Sequence, residues 1–155
     1  MADVFDEVTR SRMMAGIRGK DTRPEMIVRK ALFRKGFRYK LHDKKLPGRP
    51  DLVFPKYRAV IFVHGCFWHQ HHCHLFKWPA TRRDFWKAKL DANASTDLRV
   101  VRRLMGEGWR IMVIWECALK GRTKLPLEAI TQRAATWLTF GTGHVEISGN
   151  RESPF

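Results

Sequence analysis

The chain has 155 residues, 44% hydrophobic and 12% aromatic, which suffices for one domain with a real core and excludes a disordered polyelectrolyte. Thirty Lys and Arg against fifteen Asp and Glu leave a formal charge of +15 and an isoelectric point near 10.5, which favours a polyanion as partner. The sequence contains no 18-residue apolar run, basic amphipathic helix or signal-type apolar core, so a membrane is the poorer partner and the expected location is intracellular, in the cytoplasm.

Residues 1–20 read as a basic N-terminal arm containing Arg10, Arg12, Arg18 and Lys20, in which Gly16 and Gly19 weaken any helix. Thr22-Arg-Pro-Glu25 is a capping box with proline in the first turn. It predicts a helix to about Lys35, stopped by Gly36, with Ile27, Val28, Ala31 and Leu32 on its apolar face. Residues 37–41 alternate with period two, as a half-buried strand does, and 42–50 form a loop ending in Leu-Pro-Gly-Arg-Pro. Residues 51–54 and 59–63 flank a short proline-containing turn and predict an antiparallel hairpin. Thr81-Arg-Arg-Asp84 opens a long helix to about Met105, broken by Gly106 and Gly108. Residues 109–115 return as an apolar strand, and the intervening helix makes the pairing with 59–63 parallel. A last helix covers 126–138, and 141–155 is expected to be a flexible tail. The fold class is α/β: a mixed central sheet flanked by helices, in one domain over 21–140.

The run from His64 to Cys73 holds four histidines, two cysteines and two large aromatics in ten positions, directly after a buried strand. A core has little use for such a run, because buried imidazoles need partners and thiolates need a proton or a metal. Cys66, His71 and Cys73 have the spacing C-x4-H-x-C. Cys117, just past the partner strand, can reach the same loop because parallel neighbours end at one sheet edge. Three sulfurs and one imidazole make a closed, structural zinc set with no position left for water. His72 or His74 could take the place of His71.

Asp51 follows Arg49-Pro50 and opens the hairpin, so it lies beside residue 63 and the histidine loop. An acid after proline is often only a turn-former, but phosphodiester hydrolysis needs an acid for Mg²⁺, a group to activate water and charge at the phosphate. The pattern is similar to the restriction-endonuclease-like superfamily, whose metal-binding acid follows a proline and precedes a hairpin. The usual second acid and lysine are here Phe62 and His64. Leu-Pro-Gly-Arg-Pro-Asp51, the string Ile-Phe-Val-His-Gly-Cys-Phe-Trp-His69, and Val-Ile-Trp-Glu-Cys-Ala118 together resemble the very short patch repair endonucleases. The resemblance spans nearly the whole chain apart from its C-terminal tail.

That resemblance implies a bacterial Mg²⁺-dependent nickase that cuts 5′ to the thymine of a T:G mismatch left by deaminated 5-methylcytosine. It implies that Asp51 and the main-chain carbonyl of Val63 bind Mg²⁺; the family commonly has threonine at 63. It implies that His69 helps prepare the attacking water, that His64 assists at the phosphate, and that Glu25 orients water at the metal. Glu25 is equally adequate as a capping-box acid. Cys66, His71, Cys73 and Cys117 match the family's structural zinc ligands. Phe67, Trp68 and Trp86 are implied to form a wedge entering a mismatched duplex from the major groove, although Trp86 by its helical position reads as core. The arm, with Met13 and Met14, would cross the minor groove, and Arg82, Arg83, Arg99, Arg102 and Arg103 are phosphate candidates.

The expected partner is double-stranded DNA bearing a T:G mismatch, with mismatch-repair proteins a candidate partner class that the sequence does not decide. A monomer is expected, because one cut at an asymmetric lesion needs no two-fold symmetry. Two other readings are a nuclease of the same fold with different or relaxed specificity, and a zinc-stabilised DNA-binding module without chemistry.

Overall fold

The computed structural model describes residues 21–150. The basic arm, with Met13, Met14 and the arginines assigned to it, lies outside the described residues, as do 151–155. Helix α1 (Arg23–Arg34) is followed by strands β1 (Lys40–Leu41), β2 (Leu52–Phe54) and β3 (Ala59–His64). Then come α2 (Arg83–Gly106), β4 (Arg110–Trp115), a short α3 (Glu116–Leu119), α4 (Leu127–Phe140) and β5 (His144–Ile147). The five strands form one sheet in the order β1-β2-β3-β4-β5. The β1–β2 and β2–β3 pairs are antiparallel; β3–β4 and β4–β5 are parallel.

The apolar runs of β3 and β4 follow from a sheet covered on both faces. Ala59, Ile61, Met112 and Ile114 face one layer, with Val28 and Leu32 of α1 and Ile130, Ala134 and Leu138 of α4. Val60, Phe62, Ile111, Val113 and Trp115 face the other, with Leu104 of α2. Among the described residues no helix is long and apolar enough to cross a membrane.

Five expectations are revised. The buried stripe of α1 is Glu25, Val28 and Leu32, while Ile27 and Ala31 are only partly buried, so the helix is rotated to carry an acid inward. Thr22 does accept from the Glu25 N–H, but the Glu25 carboxylate accepts from Asp21 N–H instead of closing the box on Thr22. The 37–41 strand shortens to two paired residues, because the Phe37 and Tyr39 rings pack on Phe54. Helix α2 starts at Arg83 after Arg82 in a left-handed conformation with no side-chain cap, so Thr81 does not cap it. Its other end matches expectation: Gly108, at φ +87°, lets Trp109 N–H return to Leu104 O at 3.0 Å.

The largest difference is at 141–150, where a strand replaces the expected tail. His144-Val-Glu-Ile147 alternates polar and apolar residues, and Ile147 is fully buried beside β4. Beyond it, Gly149 N–H donates to Cys117 Sγ at 3.3 Å and Asn150 N–H to Thr123 O at 2.8 Å. A Cβ at Gly149 would lie 2.5 Å from Cys117 O, so only glycine fits against that turn. Ile147→Ala is therefore expected to lower unfolding free energy by about 2–5 kcal/mol in a denaturant titration, as core truncations do.

Candidate active site and metal centre

The parallel β3–β4 pair, in register Val63↔Ile114 and His64↔Trp115, brings the ends of both strands to one edge. Cys66 and Cys117 each lie two residues past a paired position. His71 and Cys73 come from the turn that follows β3, and the four ligand atoms all lie within 4.8 Å of one another. His71 Nδ1 stands 3.5 Å from Cys66 Sγ and 3.7 Å from Cys117 Sγ. A tetrahedral ion with bonds of about 2.0–2.3 Å separates its ligands by about 3.5–3.8 Å, so this donor set fits a metal. Burial raises the Cys66 and Cys117 thiols and lowers His71. Neutral imidazole is the ligating form, whereas converging thiolates need a cation. His71 is the histidine that joins the cluster, stacked on Trp115 at 4.0 Å. His72 is exposed, and His74 instead approaches Thr123.

The same edge carries a second group. Asp51, opposite the end of β3, accepts from Val63 N–H at 2.7 Å. It lines a cleft of about 210 Å³ with Arg49, Val63, His64, His69 and Asp97. Gly48 forms the rim, where a Cβ would meet Val100 Cγ1 at 2.5 Å. Burial, reinforced by the adjoining Glu25 carboxylate and opposed by Val63 N–H, pushes Asp51 up to about 8. Glu25 is itself buried, bonded to Arg29 and to His42.

The His64 and His69 rings stack at 3.7 Å and 4°. His69 Nδ1 lies 2.6 Å from Asp97 Oδ2, so Nδ1–H donates there and the neutral ring carries its lone pair on Nε2. Burial and the neighbouring His69 hold His64 well below the ordinary imidazole range. Two cationic rings in van der Waals contact would repel, which agrees with a neutral His64. Non-glycine residues in left-handed conformation flank these groups at His42, Arg49 and Gln70.

Phe67, Trp68 and Trp86 form a mutually touching aromatic set, with ring centroids 5.3–5.9 Å apart. All three are partly exposed, so Trp86 is not core. Helix α2, which carries Trp86, holds the loop that carries Phe67 and Trp68: Asn93 donates to Trp68 O, Gln70 to Asp91, and Asp97 takes His69. Arg82, Arg83, Arg99, Arg102 and Arg103 are exposed on α2 and its entry. Sequence reasoning passed over Asp97 and His42. Asp97 sits in an otherwise polar helical stretch, Ala-Ser-Thr-Asp, that reads as solvent face.

Two outcomes follow from these groups. The purified chain should carry one tightly held zinc per molecule by elemental mass spectrometry, and Cys66→Ser should lose it. In Mg²⁺-free buffer Asp51 stays protonated in the folded chain up to about 8 but ionises near 4 when unfolded, so stability should fall as pH climbs between those values. Asp51→Asn should flatten that decline in urea titrations at pH 5 and pH 8.5.

A family model described as DNA mismatch endonuclease Vsr matches residues 2–75. The chain is 50% identical to the DNA mismatch endonuclease Vsr of Escherichia coli (strain K12), covering 89% of this chain and 88% of that protein. It is 47% identical to the type II nicking enzyme V.XorIIP of Xanthomonas oryzae pv. oryzae, over 77% of this chain and 88% of that enzyme. A third relative, the type II nicking enzyme V.NmeAIP of Neisseria meningitidis serogroup A, is 43% identical over 79% and 87% of the two chains. With half of its residues shared over nearly the full length of the first of these, this chain belongs to the Vsr family of DNA mismatch endonucleases.

Proposed function

We propose that the chain nicks duplex DNA on the 5′ side of the thymine in a T:G mismatch, by Mg²⁺-assisted hydrolysis, in very short patch repair. The observation that carries this reading is the convergence of Asp51, His64 and His69 in one cleft, beside buried Glu25, in a chain half identical to a mismatch endonuclease. Neither a plain DNA-binding module nor a structural turn needs two buried acids next to a stacked imidazole pair.

Asp51 and the main chain of Val63 would hold the Mg²⁺, and the fit rests on a buried carboxylate that accepts only one backbone bond and carries a raised proton affinity. When bound, the ion supplies Lewis-acid polarisation of the phosphate and makes water easier to deprotonate. Glu25, fixed by three donors, orients water on the side of α1. His69 takes a proton at Nε2, because Asp97 occupies Nδ1 and stabilises the imidazolium that forms. His64, neutral and half-buried, offers the phosphate a hydrogen bond before any charge. Valine at 63 keeps the backbone groups and gives up only a hydroxyl.

Zinc in the set of Cys66, His71, Cys73 and Cys117 has a structural role here, since all four positions are taken by protein. Phe67, Trp68 and Trp86 serve as the wedge, for which a mismatch is the cheapest step to unstack. The arm at 1–20, including Met14, contacts the opposite groove, and 21–150 forms the catalytic body. The chain acts as a monomer inside the cell.

The test uses three end-labelled duplexes of one sequence with T:G, T:A or C:G at the target position, under single turnover. One cut 5′ to thymine in the T:G duplex alone is expected. Asp51→Ala should abolish it, and Asp97→Asn should slow it about 10- to 100-fold by freeing the His69 ring. Equal cutting of all three duplexes would discard mismatch recognition, and binding without any cut would discard the chemistry.

A further inference from the structure

His42 lies against two buried carboxylates, Asp51 of the cleft and Glu25 beside it. Its backbone N–H donates to Asp51 O at 3.2 Å, which ties the end of β1 to the start of β2. Its ring Nε2 lies 2.9 Å from Glu25 Oε1 and 4.0 Å from Asp51 Oδ1. Residue 42 adopts φ +47°, a conformation uncommon without glycine. The strained residue therefore stands where the ring leaves the sheet edge to meet α1.

Two further bonds to Glu25 come from its own helix and its entry. Oε1 also accepts from Asp21 N–H at 3.0 Å, and Oε2 accepts from Arg29 Nη1 at 2.8 Å. Those contacts fix the carboxylate relative to α1 and say nothing about its distance from the sheet. Without a cation Asp51 keeps its proton and can share it with Glu25; once a cation displaces that proton the two ionised acids repel and no longer hold each other in place. The His42 imidazole supplies the attraction between α1 and the sheet edge at this point, while its own backbone holds the residue that carries the second acid.

We infer that His42 is a positioning residue that sets the separation and aim of the Glu25 and Asp51 carboxylates. The inference rests on the proposed function for its consequence, because Mg²⁺ demands near-ideal octahedral geometry and responds strongly to small displacements of its ligands. A side chain that orients a ligand in this way typically changes metal affinity or activity about 10- to 100-fold when removed. A glutamine amide can donate the same bond to Glu25, so His42→Gln should keep what His42→Ala loses.

The experiment compares zinc-loaded wild type, His42→Ala and His42→Gln. Mn²⁺ affinity is read by electron paramagnetic resonance in complex with a T:G duplex carrying a phosphorothioate at the cut. Single-turnover nicking, duplex affinity without divalent cation, and thermal midpoint are measured alongside. His42→Ala should lose about 10- to 100-fold in both Mn²⁺ affinity and nicking rate. Its duplex affinity should stay within about two-fold and its fold intact, and His42→Gln should recover most of the loss. The inference is overturned if His42→Ala binds Mn²⁺ and nicks like wild type, if its loss lies only in duplex affinity or folding, or if glutamine does no better than alanine. If the wild type itself fails to nick the T:G duplex, the proposed function falls, and the Mn²⁺ affinities of the two variants still decide on His42.

Discussion

The parallel pairing of β3 with β4 is the constraint on which the site depends. Register places His64 opposite Trp115, and two residues further on each strand presents a cysteine. Cys66 and Cys117 are therefore brought together by sheet geometry, and the loop supplies only His71 and Cys73. Once those four are drawn to one point, residues 66–73 have little freedom left. The intervening positions 67–69 must then turn their side chains outward or toward α2, which is where the aromatic set and His69 lie.

Trp115 links this cluster to the cleft. Its ring stacks on His71 and meets the edges of His64 and His69, and its indole N–H is held by Glu146 of β5 at 2.6 Å. The strand that replaces the expected tail thus supports the site twice, through Glu146 on Trp115 and through Gly149 on the Cys117 sulfur. Buried charge on the other side of the cleft is balanced by geometry of a different kind. Asp51 and Glu25 come from two elements, and burial together with the neighbouring carboxylate raises the proton affinity of Asp51, so a proton on Asp51 relieves their repulsion.

Much of this was legible in the residues themselves. The apolar runs at 59–63 and 109–115, separated by a long helix, allow only a parallel crossover, and that crossover already brings Cys117 to the Cys66 loop. The string around His64 to His69 carries its own chemistry and its resemblance. What escaped was of three physical kinds. Asp97 and His42 act through contacts 28 and 17 residues away in sequence, and nothing local marks them. Glu25 satisfied a capping pattern so well that its burial could not be read from the helix start. Finally, β5 is four residues long among glycine and serine, too short for periodicity to outweigh its loop-like surroundings.

If an ion in the set of Cys66, His71, Cys73 and Cys117 holds the loop, that ion keeps the His69 ring against Asp97. This dependence is tested most directly by long-range ¹H–¹⁵N NMR of the histidine side chains before and after removal of the loop metal. A protonated Nδ1 and a bare Nε2 on His69 are expected in the metal-loaded chain, with that Nδ1–H signal lost to averaging once the metal is gone while the strand amides persist. A His69 tautomer unchanged by metal removal would contradict it.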